Sequence, residues 1–232
     1  MNSMLLLIAG AVALNVFALA LVLLRAVIYR VPVYRPMLLN ILLSVAPALV
    51  LGVTFVLFAF VVPLAPGPLL AWAVLVGGGV VWLLLLPNSA YLITELNFSH
   101  RRTDDPVPLW FDIVGTLALA LSGIVNTLLN IVPAQVIYVA VRYDDASAAS
   151  AGPESWLVPL IILLLVSFGI YLGRHIRFNS WDLVRPTRLV AILVRHFRER
   201  GRLGEAAGFC ALHTILFAIL YAMIALPLAA GL

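Results

Sequence analysis

Long apolar stretches alternate with short polar segments along this chain. A helix needs roughly 20 apolar residues to cross the hydrocarbon core of a bilayer, and six stretches approach or exceed that length. They cover about 4–24, 37–62, 69–86, 112–140, 156–174 and 207–229. The pattern predicts an all-α fold, a polytopic transmembrane helical bundle with six spans that forms a single integral-membrane domain over residues 1–232.

The composition excludes an ordinary soluble domain. Hydrophobic residues make up 64% of the chain and charged residues 10%, whereas soluble domains carry about 25% charged residues. The net charge of +4 is concentrated in one loop, which suits an anionic membrane face better than nucleic acid. We therefore expect membrane lipids, and no nucleic acid, among the partners.

The fourteen basic residues are all arginine, and their positions predict how the bundle is oriented. Thirteen of them lie in or beside the loops that follow spans 1, 3 and 5, and Arg142 alone lies on the other side. Since arginine-rich loops tend to stay in the cytoplasm, we expect these three loops to be cytoplasmic. Both termini are then extracytoplasmic.

A basic amphipathic segment follows the fifth span, over about 186–202. Its proline at position 186 suits a first helical turn. The predicted apolar side consists of Leu189, Ile192, Leu193 and Phe197, and the opposite side of Arg188, Arg195, Arg198 and Arg202. We expect a cytoplasmic interfacial helix that anchors the chain, with its arginines among the lipid headgroups.

Polar residues recur at helical spacing within several spans. The fourth span carries a polar stripe of Asp112, Thr116, Gly123, Asn126 and Asn130. Polar groups are costly against lipid tails, so this stripe should face the interior of the bundle. It is either a set of hydrogen bonds between helices or the lining of a polar cavity that opens to the cytoplasm.

The first of two polar clusters lies at the end of the third span, over residues 87–96. Pro87 is expected to end or kink that span, and Asn88 or Ser89 to cap a short helix after it. At helical spacing, Asn88, Tyr91 and Glu95 project from one side.

This cluster and the residues that follow it contain side chains suited to acid–base chemistry or cation binding. Glu95 and His100 are candidate catalytic residues, with Asp182 of the second cluster. Glu95, Asp112 and Asp182 are candidate ligands of a divalent cation. The alternative is a solvated loop with capping residues, and the spacing matches no standard metal motif.

The second polar cluster lies at the end of the fifth span, over residues 173–182. Arg174 and Arg177 are three residues apart, and two guanidinium groups at that spacing suit a phosphate. Asn179, together with Asn88 and Tyr91 of the first cluster, is a further candidate ligand. The alternative is that these arginines only retain the loop in the cytoplasm. Among the histidines, only His100 is a candidate for a site, because helical geometry turns His175 away from Arg174.

At these two clusters the chain resembles a bacterial integral-membrane family catalogued as domain of unknown function 1361. The resemblance spans roughly 80–185. It is carried by Leu86-Pro87-Asn88 with Tyr91, Thr94, Glu95 and Leu96, by Trp110 and Asp112, by the run from Ser167 to Arg174, and by Arg177-Phe178-Asn179-Ser180-Trp181-Asp182. It implies a multi-pass membrane protein of bacterial type and no particular activity. With the predicted orientation, we expect the chain to lie in the bacterial inner (cytoplasmic) membrane.

Both clusters are predicted on the cytoplasmic face, where they are expected to be neighbours. Three functions are compatible with them. The chain is an enzyme that acts on a lipid or lipid-linked phosphate at the cytoplasmic leaflet, a transporter or flippase with a polar cavity, or a non-catalytic accessory subunit with membrane-protein partners. The sequence favours the first and does not decide whether the protein is an enzyme.

Overall fold

The computed structural model describes residues 3–64, 68–97, 106–143, 152–176 and 186–229. Within these residues the chain is helical and contains no strand. Six of the described helical segments are long and apolar enough to cross a membrane: Ser3–Tyr29, Arg35–Leu64, Pro68–Asn97, Leu109–Tyr143, Pro153–Ile176 and Arg202–Ala229. The predicted all-α fold with six apolar spans is confirmed, while the side on which the termini lie stays a prediction.

Seven α-helices are numbered here in chain order. They are α1 (Ser3–Tyr29), α2 (Arg35–Val56), α3 (Pro68–Ala90), α4 (Leu109–Tyr143), α5 (Leu157–Tyr171), α6 (Pro186–Arg198) and α7 (Arg202–Ala229). Short helical segments of other kinds extend them: a π-helical turn (Leu57–Val61) and a 3-10 turn (Val62–Leu64) after α2, 3-10 helices at Tyr91–Asn97 and Pro153–Trp156, and a π-helical turn at Leu172–Ile176. Gly201 separates α6 from α7 with a positive φ of 88°, which glycine adopts without strain.

Pro87 does not end the third span. Helix α3 continues past it to Ala90 and then passes into the 3-10 helix Tyr91–Asn97. A short helix does follow, as predicted, but the side chains of Asn88 and Ser89 bond elsewhere and do not cap it. Asn88 Nδ2 donates to the carbonyl of Leu85, and Ser89 Oγ donates to the carbonyl of Ser44 at 2.6 Å. The second of these bonds connects the end of α3 to α2, and proline is tolerated within membrane helices.

The chain divides into two compact units, Met1–Asn130 and Ile131–Leu232. In unit 1, α2 packs along α3, and a buried core joins residues of α1, α2, the 3-10 helix and α4. Its members are Ala18, Val22, Met37, Ile41, Leu92, Ala118 and Leu119. The expectation that all 232 residues form one domain stays a prediction.

In unit 2, α5 packs along α7, and α6 rests against α7. Tyr171, Ala206 and Cys210 are buried together, and Phe197 of α6 packs against them with Phe209 of α7. The start of α7, the end of α5 and the helix α6 therefore meet at one end of this unit.

Candidate functional site

The predicted site residues are distributed over both units and beyond the described residues. Glu95, Asp112, Asn88 and Tyr91 lie in unit 1, and Arg174 lies in unit 2. His100, Arg177, Asn179 and Asp182 lie outside the described residues. The predicted meeting of the two clusters therefore stays a prediction.

Asp112 is paired with an arginine that sequence reasoning used only to predict orientation. Arg25 Nε, near the end of α1, donates to Asp112 Oδ1 at 2.8 Å, and the two side chains are 13% and 1% exposed. Asp112 lies in the first turn of α4, where the helix dipole also favours a negative charge. The pair connects α1 to α4, and it occupies a carboxylate oxygen that was predicted to bind a cation.

Glu95 is buried and bonded to another helix. Asn40 Nδ2 of α2 donates to Glu95 Oε1 at 3.0 Å, and the glutamate is 7% exposed. Tyr91 and Asn88 on the same turn are partly buried. Glu95 is therefore held within unit 1. This burial argues against the alternative that Glu95 belongs to a solvated loop.

The structure describes part of the predicted cation site. Among the described residues, no group of three or more histidine, cysteine or acidic side chains is arranged to hold a metal ion. The predicted set also needs Asp182, which lies outside that part of the chain. A divalent cation at Glu95, Asp112 and Asp182 thus stays a prediction.

The polar stripe of the fourth span forms hydrogen bonds between helices in unit 1. Asn126 Nδ2 donates to Asn15 Oδ1 of α1 at 3.0 Å and to Ser44 Oγ of α2 at 2.9 Å. Trp82 Nε1 of α3 donates to Asn130 Oδ1 at 3.2 Å. Each of α1, α2 and α3 thus has a polar contact with this stripe, as the hydrogen-bonding interpretation predicts.

A small cavity lies beside the Arg25–Asp112 pair. Its volume is about 20 Å³, and Thr116 and Leu119 also line it. A cavity of about 10–15 Å³ is already enough for one water molecule, so this one has room for little more than a water. It is too small to pass or hold a larger solute.

At the end of unit 2 where α5, α6 and α7 meet, three arginines have no acidic partner among the described residues. Arg174 in the π-helical turn, and Arg195 and Arg198 on α6, are exposed. Within the described residues of unit 2, no acidic side chain forms an ion pair with any of the three. Arg202 differs, since Glu199 and Glu205 each accept a hydrogen bond from it at 3.0 Å.

Helix α6 presents three different sides. Ile192, Leu193, His196 and Phe197 are partly buried, the valines at 190 and 194 are exposed, and so are Arg195 and Arg198. The helix thus has a protein-facing side, an exposed apolar side and an exposed basic side. Part of the predicted apolar side therefore packs against the bundle instead of lipid.

Two histidines set aside in the sequence analysis take part in the same junction. Tyr171 and His196 Nε2 are hydrogen-bonded at 2.8 Å, which ties α6 to the end of α5. His175 stacks on Tyr171 with ring centroids 4.5 Å apart, and its Nδ1 lies 3.4 Å from Glu205 Oε1 of α7. The four-residue spacing of Tyr171 and His175 was the available signal, since such residues are neighbours on a helix surface.

Comparison with known proteins identifies the family. The family model described as "Protein of unknown function (DUF1361)" matches residues 39–226. The chain belongs to this family. The match extends from within α2 to within α7 and contains both polar clusters, and it confirms the resemblance to this family. Arg25 on α1 lies outside the matched range. No curated protein and no solved structure matches the chain.

Proposed function

We propose that this multi-pass membrane protein binds a lipid or lipid-linked phosphate through the arginines at the ends of α5 and α6. The observation that supports the proposal is the set of exposed arginines, Arg174, Arg195 and Arg198, that have no acidic partner among the described residues. Arg177 was predicted as a further ligand and lies outside those residues.

Unpaired guanidinium groups favour phosphate for geometric and electrostatic reasons. The planar fork of an arginine donates two parallel hydrogen bonds to phosphate oxygens. An arginine already neutralised by a carboxylate, such as Arg202 between Glu199 and Glu205, has less to gain from an anion. Because His196 of α6 contacts Tyr171 of α5, Arg174 and Arg195 belong to the same end of unit 2.

The surface of α6 supports placement of this end at a membrane face. Val190 and Val194 are exposed beside Arg195 and Arg198. An interfacial helix has this arrangement, with apolar side chains in the acyl boundary and arginines among anionic headgroups. Since thirteen of the fourteen arginines lie on one predicted face, we propose that it is the cytoplasmic face of a bacterial inner membrane.

The hydrogen-bonded stripe in unit 1 also favours a second function, that of an accessory subunit. Asp112 is bonded to Arg25 and Glu95 to Asn40, so both carboxylates contribute to holding helices together. The transporter alternative was motivated by that same stripe, which bonds to neighbouring helices instead of lining a large cavity. Purification of the protein in a stoichiometric membrane complex is the result that would promote the accessory function.

Lipid binding is tested by the lipids that stay with the purified protein. Wild-type protein and the variant Arg174→Gln/Arg195→Gln/Arg198→Gln are extracted in a mild detergent, and bound lipids are quantified by mass spectrometry. We expect lipids with phosphate-bearing headgroups to be enriched on the wild type and depleted on the variant, with equal amounts of folded protein.

The matched control is Arg142→Gln, which removes an exposed arginine of unit 2 from the end of α4. It lowers the net charge without touching α5 or α6, so its bound lipids should equal those of the wild type. Equal lipid retention by all three proteins would remove the proposal.

A further inference from the structure

We infer that His175, oriented by Glu205, is the general base of a phosphate-ester hydrolysis at this arginine-bearing end of unit 2. This inference rests on the proposed function, because it needs a lipid phosphate bound by Arg174 beside it. The substrate class is a phosphate monoester of a lipid.

The imidazole of His175 is fixed on three sides. It stacks on Tyr171 with an interplanar angle of 20°, and Phe209 meets it edge-on with ring centroids 5.7 Å apart. Its Nδ1 lies 3.4 Å from Glu205 Oε1. A carboxylate within ion-pair distance of Nδ1 favours the tautomer in which Nε2 is free to accept a proton, the relation that catalytic triads use.

The other ring nitrogen of His175 is available for chemistry. Within the described residues Nε2 makes no hydrogen bond, and the side chain is 26% exposed. His175 directly follows Arg174 in the π-helical turn Leu172–Ile176. The base and an exposed arginine with no acidic partner among the described residues therefore occupy consecutive positions in this turn.

The other described histidines of this unit lack that combination. His196 uses Nε2 to bond Tyr171. His213 stacks on Phe209, and its Nδ1 contacts the carbonyl of that same residue, so it is tied to its own helix. Neither histidine has both a carboxylate within ion-pair distance and a neighbouring unpaired arginine among the described residues.

The proposed step is hydrolysis by water. His175 Nε2 removes a proton from a water molecule as the water oxygen forms a bond to phosphorus. The bond between phosphorus and the lipid oxygen breaks, and the leaving alkoxide takes a proton from water at the membrane surface. The imidazolium then returns its proton to solvent, so that a lipid alcohol and inorganic phosphate are the products. Arg174 holds the phosphate oxygens in place throughout.

The test measures release of inorganic phosphate by the full-length protein in phosphatidylcholine nanodiscs. The nanodiscs contain either phosphatidic acid or a polyprenyl phosphate, and a parallel sample contains soluble glycerol phosphate. We expect release from at least one of the two lipids and none from the soluble ester. His175→Gln should lower the rate at least about 100-fold, the usual contribution of a general base, and leave lipid binding unchanged.

Two matched controls separate catalysis from structure. His213→Gln removes a histidine that stacks on the same Phe209. Glu199→Gln removes one partner of Arg202, as Glu205→Gln does, but it does not touch His175. Glu205→Gln should slow the reaction, whereas both controls should keep the wild-type rate.

The pH profile supplies a signature that a structural role would not produce. Tyr171 on α5, His196 on α6, and Arg202 and Glu205 on α7 surround the ring, besides Arg174 in its own turn. A general base acts only when neutral, so the wild-type rate should rise with pH through an imidazole titration. The residual rate of His175→Gln should lack that rise.

The contrary results distinguish failure of this inference from failure of the proposed function. A wild-type rate in His175→Gln overturns the inference, and so does phosphate release from the soluble ester alone. Wild-type protein that binds both lipids but releases no phosphate also overturns it and leaves the proposed function standing. Failure to bind either lipid removes the proposed function as well.

Discussion

Nε of Arg25 lies 2.8 Å from Oδ1 of Asp112, so a buried ion pair connects the end of α1 to the first turn of α4. Both groups are costly inside a low-dielectric environment, and their mutual contact offsets part of that cost. The ion pair accounts for the presence of a buried aspartate at the start of an apolar span.

Removal of one member should destabilise unit 1 strongly. Arg25→Met leaves the Asp112 carboxylate buried without this partner, and we expect the free energy of unfolding to fall by about 3 kcal/mol. The double variant Arg25→Met/Asp112→Leu should recover most of the loss. Unfolding in sodium dodecyl sulfate, followed by tryptophan fluorescence, measures both. Arg142→Met, at an exposed arginine, is the control, and an equal effect there would disprove a structural role for the pair.

Gly123 marks the closest approach of α4 to the end of α3. A Cβ atom at this position would meet the carbonyl oxygen of Ser89 and lie 2.8 Å from Cβ of Leu92. Gly123→Ala should therefore cost about 1–3 kcal/mol of unfolding free energy through overpacking. Gly115→Ala on the same helix meets nothing within 4 Å and should be neutral or slightly stabilising. Thermal unfolding of the two variants compares them, and equal stabilities would contradict the packing described here.

The hydrogen bond between Tyr171 and His196 should determine how firmly α6 is attached. Tyr171→Phe removes the hydroxyl that bonds His196 Nε2 but keeps the ring stacked among its neighbours. We expect faster amide hydrogen exchange across Pro186–Arg198 and little change in α7. Tyr221→Phe, which loses a bond to Gln135 Oε1 elsewhere in unit 2, is the control. Unaltered exchange in α6 would show that the aromatic contacts alone hold it.

Labelling of single cysteines tests the predicted membrane orientation. Cys210 is the natural cysteine, and Cys210→Ser provides a background for Glu199→Cys and Arg142→Cys. In intact cells, a membrane-impermeant maleimide should label position 142 and spare position 199, because the thirteen arginines on the latter side predict that it is cytoplasmic. The reverse pattern would place α6 outside the cell.

The sequence was sufficient to predict the spans and the polar stripe. The spans follow from the length of the apolar stretches, and the stripe follows from helical periodicity. Asn126 and Asn130 were placed on one face at 100° per residue, and both do bond to neighbouring helices. Of the three consecutive glycines at 77–79, a Cβ at Gly78 would meet Thr54 of α2, while one at Gly77 or Gly79 would meet nothing within 4 Å.

The sequence was not sufficient to predict contacts between residues that are distant along the chain. Nothing in the local pattern assigns Arg25 to Asp112, since 87 positions separate them and every arginine also fits the orientation rule. His175 was set aside because helical geometry turns it away from Arg174, and its ion pair with Glu205, which lies on another helix, cannot be derived from local spacing. Pro87 was expected to end or kink the third span, but α3 continues past it to Ala90.

Direct binding of a matched pair of lipids tests the central claim, that the exposed arginines Arg174, Arg195 and Arg198 recognise a lipid phosphate. Binding of phosphatidic acid and of the corresponding diacylglycerol is titrated against the purified protein in detergent. We predict that the wild type binds the phosphate-bearing lipid more tightly, that added salt weakens the preference, and that Arg174→Gln/Arg195→Gln/Arg198→Gln abolishes it. Equal affinity of the wild type for the two lipids would contradict the account.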